Sequence, residues 1–208
     1  KGANVNLRNN RGGTALIVAA FNGRKDICDL LLSKGAEIDG KNNGGWTALM
    51  AAASKGNKDV CELLVLKKAN VNDVNAMGWS ALMLAGFNGF KEICELLISK
   101  GANYNANYVS QDGMNYLMCL SGCGLAKQCK ELIESGADVN AKNNNGGTAL
   151  TMAVVRNQKE MCELLISKGA DIDAQNNDGL TPLMFAVMND NKEICKILIS
   201  KKADVNKR

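Results

Sequence analysis

The chain repeats itself about every 33 residues, and that period constrains the fold more than any single motif. Thr-Ala-Leu or a close variant begins at Thr14, Thr47, Ser80, Asn115, Thr148 and Thr181, in steps of 33, 33, 35, 33 and 33. Cysteines keep the same metre at Cys28, Cys61, Cys94, Cys129, Cys162 and Cys195. So do glycines at Gly12, Gly45, Gly78, Gly113, Gly146 and Gly179. A unit of this length cannot bury its own apolar stripe, but stacked units can.

Each period reads as two short helices and a turn. In the third, SALMLAGFNG (80–89) forms a first helix that stops at Asn88-Gly89, where glycine can turn left-handed. FKEICELLISKG (90–101) forms a second, with Ile93, Cys94, Leu96 and Leu97 as its apolar stripe and Gly101 as its end. ANYNANYVSQDG then runs out and back, and other periods place Asn43-Gly44 or Asn145-Gly146 there, which suits tight hairpins. The fold expected is an all-α solenoid of about six 33-residue helix-turn-helix repeats with hairpin fingers on one edge. With helices ~8–10 Å apart, six repeats span roughly 50–60 Å. A single array occupies 1–208: a finger over 1–11, then repeats at about 12–44, 45–77, 78–112, 113–145, 146–178 and 179–208.

The period, the G-x-T-A-L-x-x-A start, the [IV]-C-x-L-L second helix and the G-A-x-[IV]-[ND] finger resemble ankyrin repeats along the whole chain. One departure is consistent. The family's T-P-L-H tetrapeptide appears as TALI, TALM, SALM, NYLM, TALT and TPLM, so Ile17, Met50, Met83, Met118, Thr151 and Met184 replace the histidine. The Thr–His hydrogen bonds usual in the family are therefore expected to be missing.

Composition suits a folded domain, with 46% hydrophobic and 22% charged residues. Only 4% are aromatic and Pro182 is the single proline, so small and aliphatic side chains must build the core. No apolar run approaches the ~18–20 residues of a membrane span, so no membrane insertion is expected. The net charge of +4 comes without a basic cluster and makes no case for nucleic acid. Histidine, the commonest general base and metal ligand, is absent. No acid–base pair, phosphate loop or metal set stands out, so neither enzyme activity nor a cofactor is expected.

In-step cysteines of adjacent repeats lie about one helix spacing apart, ~8–10 Å, beyond the ~7 Å that bridged Cα atoms allow. Without a CxxC pair, four thiolates cannot converge on zinc. Core filling is the reading for these six. Eight free thiols favour a reducing, intracellular, cytoplasmic setting. Cys119 aligns with Val18, Ala51, Leu84, Met152 and Phe185 and is expected to be packed. Cys123 aligns with Asn22, Lys55, Asn88, Arg156 and Asn189, and is expected to be the one exposed thiol. No histidine is present to activate it.

Resemblance to the family implies that partners touch the finger tips and the exposed side of the first helix on a concave face. Carried over by position, those sites hold Trp46, Met77, Trp79, Phe87, Tyr108 and Met114 in repeats 2–4, including both tryptophans. An aromatic and methionine patch there favours a protein interface. The alternative is that these side chains pack against neighbouring fingers, and one residue can serve both ends. Repeat 4 breaks the pattern most: its finger is two residues longer, Asn115-Tyr116 replace Thr-Ala, and Gly122 and Gly124 loosen the helix end. Functional adaptation and tolerated drift explain that equally well. Lys25, Lys58, Lys91, Lys159 and Lys192, each followed by Asp or Glu, read as solvated ladders on the second-helix surface.

The segment opens on KGANVN and closes on KKADVNKR at the same phase, with neither end capped by polar positions. It is expected to be part of a longer chain with further repeats or domains, or to have its ends covered by another chain. The function expected is a protein–protein interaction scaffold, binding a protein partner on the concave finger and inner-helix face. The alternative is a regulatory array of a larger enzyme or channel, binding in cis.

Overall fold

A computed structural model describes residues 4–207 of the chain. They form twelve short helices and no strand. The chain divides into two compact units, Lys1–Asn103 and Tyr104–Arg208. The first holds α1 (Ala15–Phe21), α2 (Lys25–Ser33), α3 (Ala48–Lys55), α4 (Lys58–Leu66), α5 (Ala81–Phe87) and α6 (Lys91–Ser99). The second holds α7 (Tyr116–Gly122), α8 (Ala126–Glu134), α9 (Ala149–Val155), α10 (Lys159–Ser167), α11 (Pro182–Met188) and α12 (Lys192–Ser200).

Every first helix begins at the hydroxyl or amide residue that opens the Thr-Ala-Leu signal. Thr14 Oγ1 accepts from Ile17 N at 3.3 Å, and Asn115 Oδ1 accepts from Met118 N at 2.9 Å. Each satisfies one of the N–H groups that a helix start leaves unpaired. The side chains that replace the family's histidine make no such bond to the cap, except Thr151, whose hydroxyl lies 3.1 Å from that of Thr148. Capping by the backbone amide of the third residue therefore holds each first turn instead.

First helices are short because their neighbours stop them. Gly23, Gly56, Gly89 and Gly124 follow them with φ of 68°, 75°, 81° and 71°. Asn157 and Asp190 take that conformation, at 57° and 52°, in the last two repeats. Short polar side chains tolerate it better than most. The third first helix is therefore 81–87 rather than 80–89: Ser80 is its cap and Asn88-Gly89 its exit. Similarly Lys91–Ser99 is the helical part of 90–101.

Within the first unit α1, α3 and α5 pack side by side, as do α2, α4 and α6; the second unit repeats this with α7, α9 and α11 and with α8, α10 and α12. First helices are enclosed on most sides, so α3 buries Ala48, Leu49, Met50, Ala51, Ala52 and Ala53 in succession. Second helices bury a stripe, such as Ile93, Cys94 and Leu97 of α6. Alanines let the first helices approach closely, and the large fully buried side chains are Leu, Ile and Met rather than aromatic.

Candidate functional site

Five of the six fingers are tied by an asparagine five residues before the first-helix cap. Asn42 Oδ1 accepts from Gly44 N at 2.9 Å and Trp46 N at 3.0 Å. Asn75 Oδ1 accepts from Met77 N at 3.0 Å and Trp79 N at 2.9 Å. Asn9, Asn143 and Asn176 do the same in their fingers, and Ser110 Oγ accepts from Met114 N at 3.1 Å in the fourth. Antiparallel bridges Val74–Ser80 and Val109–Asn115 close the third and fourth fingers as hairpins. Successive fingers are then bonded backbone to backbone: Asn43 N donates to Arg11 O at 3.1 Å, and Ala76 N to Gly44 O at 3.0 Å. Backbone tied within the finger and to a neighbouring finger gives Trp46 and Trp79 fixed starting points.

A second set of polar side chains joins the finger bases. Asn6 Oδ1 accepts from Glu37 N at 2.9 Å, Asp39 Oδ1 from Asn70 N at 2.9 Å and Asn72 Oδ1 from Asn103 N at 2.7 Å. Sequence reasoning missed both sets. The signal was present, since Asn9, Asn42, Asn75, Asn143 and Asn176 keep the repeat metre.

In the first unit the expected contact residues differ in exposure. Met77 and Phe87 are 47% and 40% exposed, while Trp46 and Trp79 are half-buried. The Trp79 and Phe87 rings meet edge to face with centroids 5.4 Å apart. Phe21, at the equivalent of Phe87 two repeats earlier, is also exposed, with Lys55 Nζ 4.6 Å above its ring. In the second unit Tyr108 is half-buried, and its ring lies 5.6 Å from that of buried Tyr116.

Met114 departs from expectation. It is 2% exposed, and its Sδ accepts from Asn143 Nδ2 at 3.2 Å. A flexible thioether fills the gap beneath the neighbouring finger and offers no surface to a partner.

Cys123 is likewise 2% exposed rather than the open thiol expected from its polar equivalents. Asn22 and Lys55 are exposed at that position. Asn22 Nδ2 donates to Val18 O at 2.8 Å, four residues back, and Cys123 Sγ makes the equivalent bond to Cys119 O at 3.8 Å, but the smaller, apolar thiol is covered. Cys195, on the last helix, is the least covered of eight free thiols. The others are buried, and loss of hydration pushes the thiols of Cys61, Cys129 and Cys162 up to about 12. They are inert as nucleophiles at neutral pH.

The second-helix surface carries the lysine ladder. Lys58 Nζ lies 2.6 Å from Glu92 Oε2, and that hydrogen bond holds Glu92 below and Lys58 above their usual ranges. An open groove of about 600 Å³ lies elsewhere, along Leu7, Val18, Ile27 and Leu31. Val18 is 49% exposed there, against 2% for Ala51 at the same position one repeat on.

Among the described residues no helix is long and apolar enough to cross a membrane. A family model described as "Ankyrin repeats (3 copies)" matches residues 1–75, 40–108, 65–143 and 116–208, so that its matches together cover the chain. No curated protein matches it.

Proposed function

Because the chain belongs to the ankyrin-repeat family, whose repeats are generally protein-interaction modules, we propose that it is a scaffold. It binds a protein partner on the finger and first-helix face and performs no catalysis of its own. The observation that carries this reading is the Trp46, Met77, Trp79 and Phe87 face, where two tryptophans of a chain with few aromatic residues stand in fingers already locked by hydrogen bonds. Rotamer-poor aromatic anchors on a preformed backbone lose little freedom on binding, which favours affinity. Tyr108 adds a second, separate contact on the other unit.

Eight unbridged thiols fit a reducing, cytoplasmic site of action. The test is affinity capture from lysate of the cells that encode the chain. Wild type is run beside Trp46→Ala/Trp79→Ala, once both give the same circular dichroism and melting curve. A specific prey lost only from the double variant supports the reading. Prey held equally by both removes these tryptophans as the site.

A further inference from the structure

We infer that the partner of the first unit's face is an acidic polypeptide segment, with carboxylates flanking its apolar side chains; this rests on the scaffold reading above. The argument is the distribution of charge. Residues 8–23, 40–56 and 74–89, which make the finger tips and first helices of this unit, contain no Asp or Glu. Its carboxylates lie on second helices, at Asp26, Asp29, Asp59, Glu62, Glu92 and Glu95, or at the finger bases, at Glu37, Asp39 and Asp73.

Cations on the face divide in two. Those near the finger bases are engaged: Lys41 Nζ lies 2.9 Å from Asp73 Oδ1, and Arg8 donates to Lys41 O at 2.6 Å. Arg11, at the first finger tip, and Lys55, at the end of α3, are exposed and form no ion pair among the described residues. Lys55 is held instead over the Phe21 ring, so its ammonium stands beside apolar surface and not over an acid. Taken repeat by repeat, these segments carry Arg11 and Phe21, then Trp46 and Lys55, then Met77, Trp79 and Phe87.

The second unit differs. Its equivalent segments carry Asp112, Asp178 and Asp190. Absence of acid is therefore not a property of the repeat but of the unit that bears the tryptophans. Potential of one sign around an apolar patch selects partners of the other sign and speeds their encounter.

The tryptophans supply the readout, since no others exist in the chain. A displayed library of random 16-residue peptides is selected on the 208-residue chain, and enriched peptides are titrated by tryptophan emission. The expected result is peptides rich in Asp and Glu beside Leu, Ile or Phe. Their affinity falls at least ~30-fold in Trp46→Ala/Trp79→Ala. It falls about 3- to 20-fold in Arg11→Gln/Lys55→Gln and on raising the salt. Met77→Glu, a change at an exposed position, weakens them further without touching the fold.

Peptides that need the tryptophans but show no acidic excess, or bind Arg11→Gln/Lys55→Gln as tightly, overturn the acidic partner and leave the scaffold standing. Peptides indifferent to both tryptophans and to Met77→Glu overturn both. Quenching by an oligothymidylate that is lost in the tryptophan variant assigns the face to nucleic acid and also overturns it.

Discussion

The Phe87 ring stands edge-on to the Trp79 indole, with planes at 85° and centroids 5.4 Å apart. Trp79 rises from the third finger and Phe87 from the end of α5, so the contact braces a finger against the helix that follows it. Phe87→Ala should cost about 1 kcal/mol of stability, the usual worth of such a pair beyond its area. It should also shift Trp79 emission to the red. A double-mutant cycle with Trp79→Ala measures the coupling, and a value near zero would show that the rings merely lie close.

Two glycines with similar backbone angles should respond very differently to alanine. Gly45 and Gly101 both have positive φ, 76° and 86°. A Cβ on Gly101 meets nothing within 4 Å, whereas one on Gly45 would stand 2.8 Å from Ala76 N and 3.1 Å from Asn75 Cα, backbone of the next finger. Gly101→Ala should therefore cost only the left-handed penalty, about 1–2 kcal/mol. Gly45→Ala should cost more and loosen Trp46 as well. Urea denaturation with a tryptophan probe reports both effects, and equal losses would refute the steric difference.

The repeat metre made the fold readable because it reports stacking directly: a cysteine every period on the second helix can only be a shared packing position. The site was less readable because neighbouring side chains in one repeat face different environments. Met77 and Phe87 are exposed and Trp46 and Trp79 half-buried, whereas Met114 turned under the adjacent finger and Cys123 is covered at a position where Asn22 and Lys55 are exposed. Position in a repeat locates a Cα; whether the side chain reaches water depends on its length and polarity, and on the residue in the next repeat. Charge segregation was also present in the sequence. It acquired meaning only beside the positions of the finger tips and first helices of one unit.

Lys68 and Lys202 occupy the left-handed position that Gly35, Gly101, Gly136 and Gly169 fill elsewhere, with φ of 69° and 71°. Both side chains are exposed, so the strain brings no burial in return. Lys68→Gly should stabilise the first unit by up to ~1 kcal/mol, less what glycine's freer unfolded chain removes. Thermal melts of Lys68→Gly and Lys202→Gly check this, and a lowered midpoint would show that local strain is not what limits these helix ends.

Alkali should unfold the protein through its thiols. In an unfolded chain a cysteine ionises near 9, whereas burial raises Cys61, Cys129 and Cys162 to about 12. The folded state thus holds these protons more tightly, and their contribution is fully present below pH 9. As pH rises above 9 the unfolded chain ionises first, and stability falls until the folded thiols titrate near 12. Each such thiol can remove up to about 1.4 kcal/mol per pH unit in that window. Urea midpoints measured from pH 8 to 10.5 should therefore fall, and Cys61→Ala/Cys162→Ala should flatten the decline while lowering stability at pH 8. Tyr104, raised to about 12 by burial and its hydrogen bond to Glu131, adds to the same slope and remains in that variant. In the folded protein at pH 8 a thiol reagent should reach Cys195 first, the remaining cysteines reacting at the rate of opening. An unchanged alkaline slope in the double variant would show that groups other than buried thiols govern it.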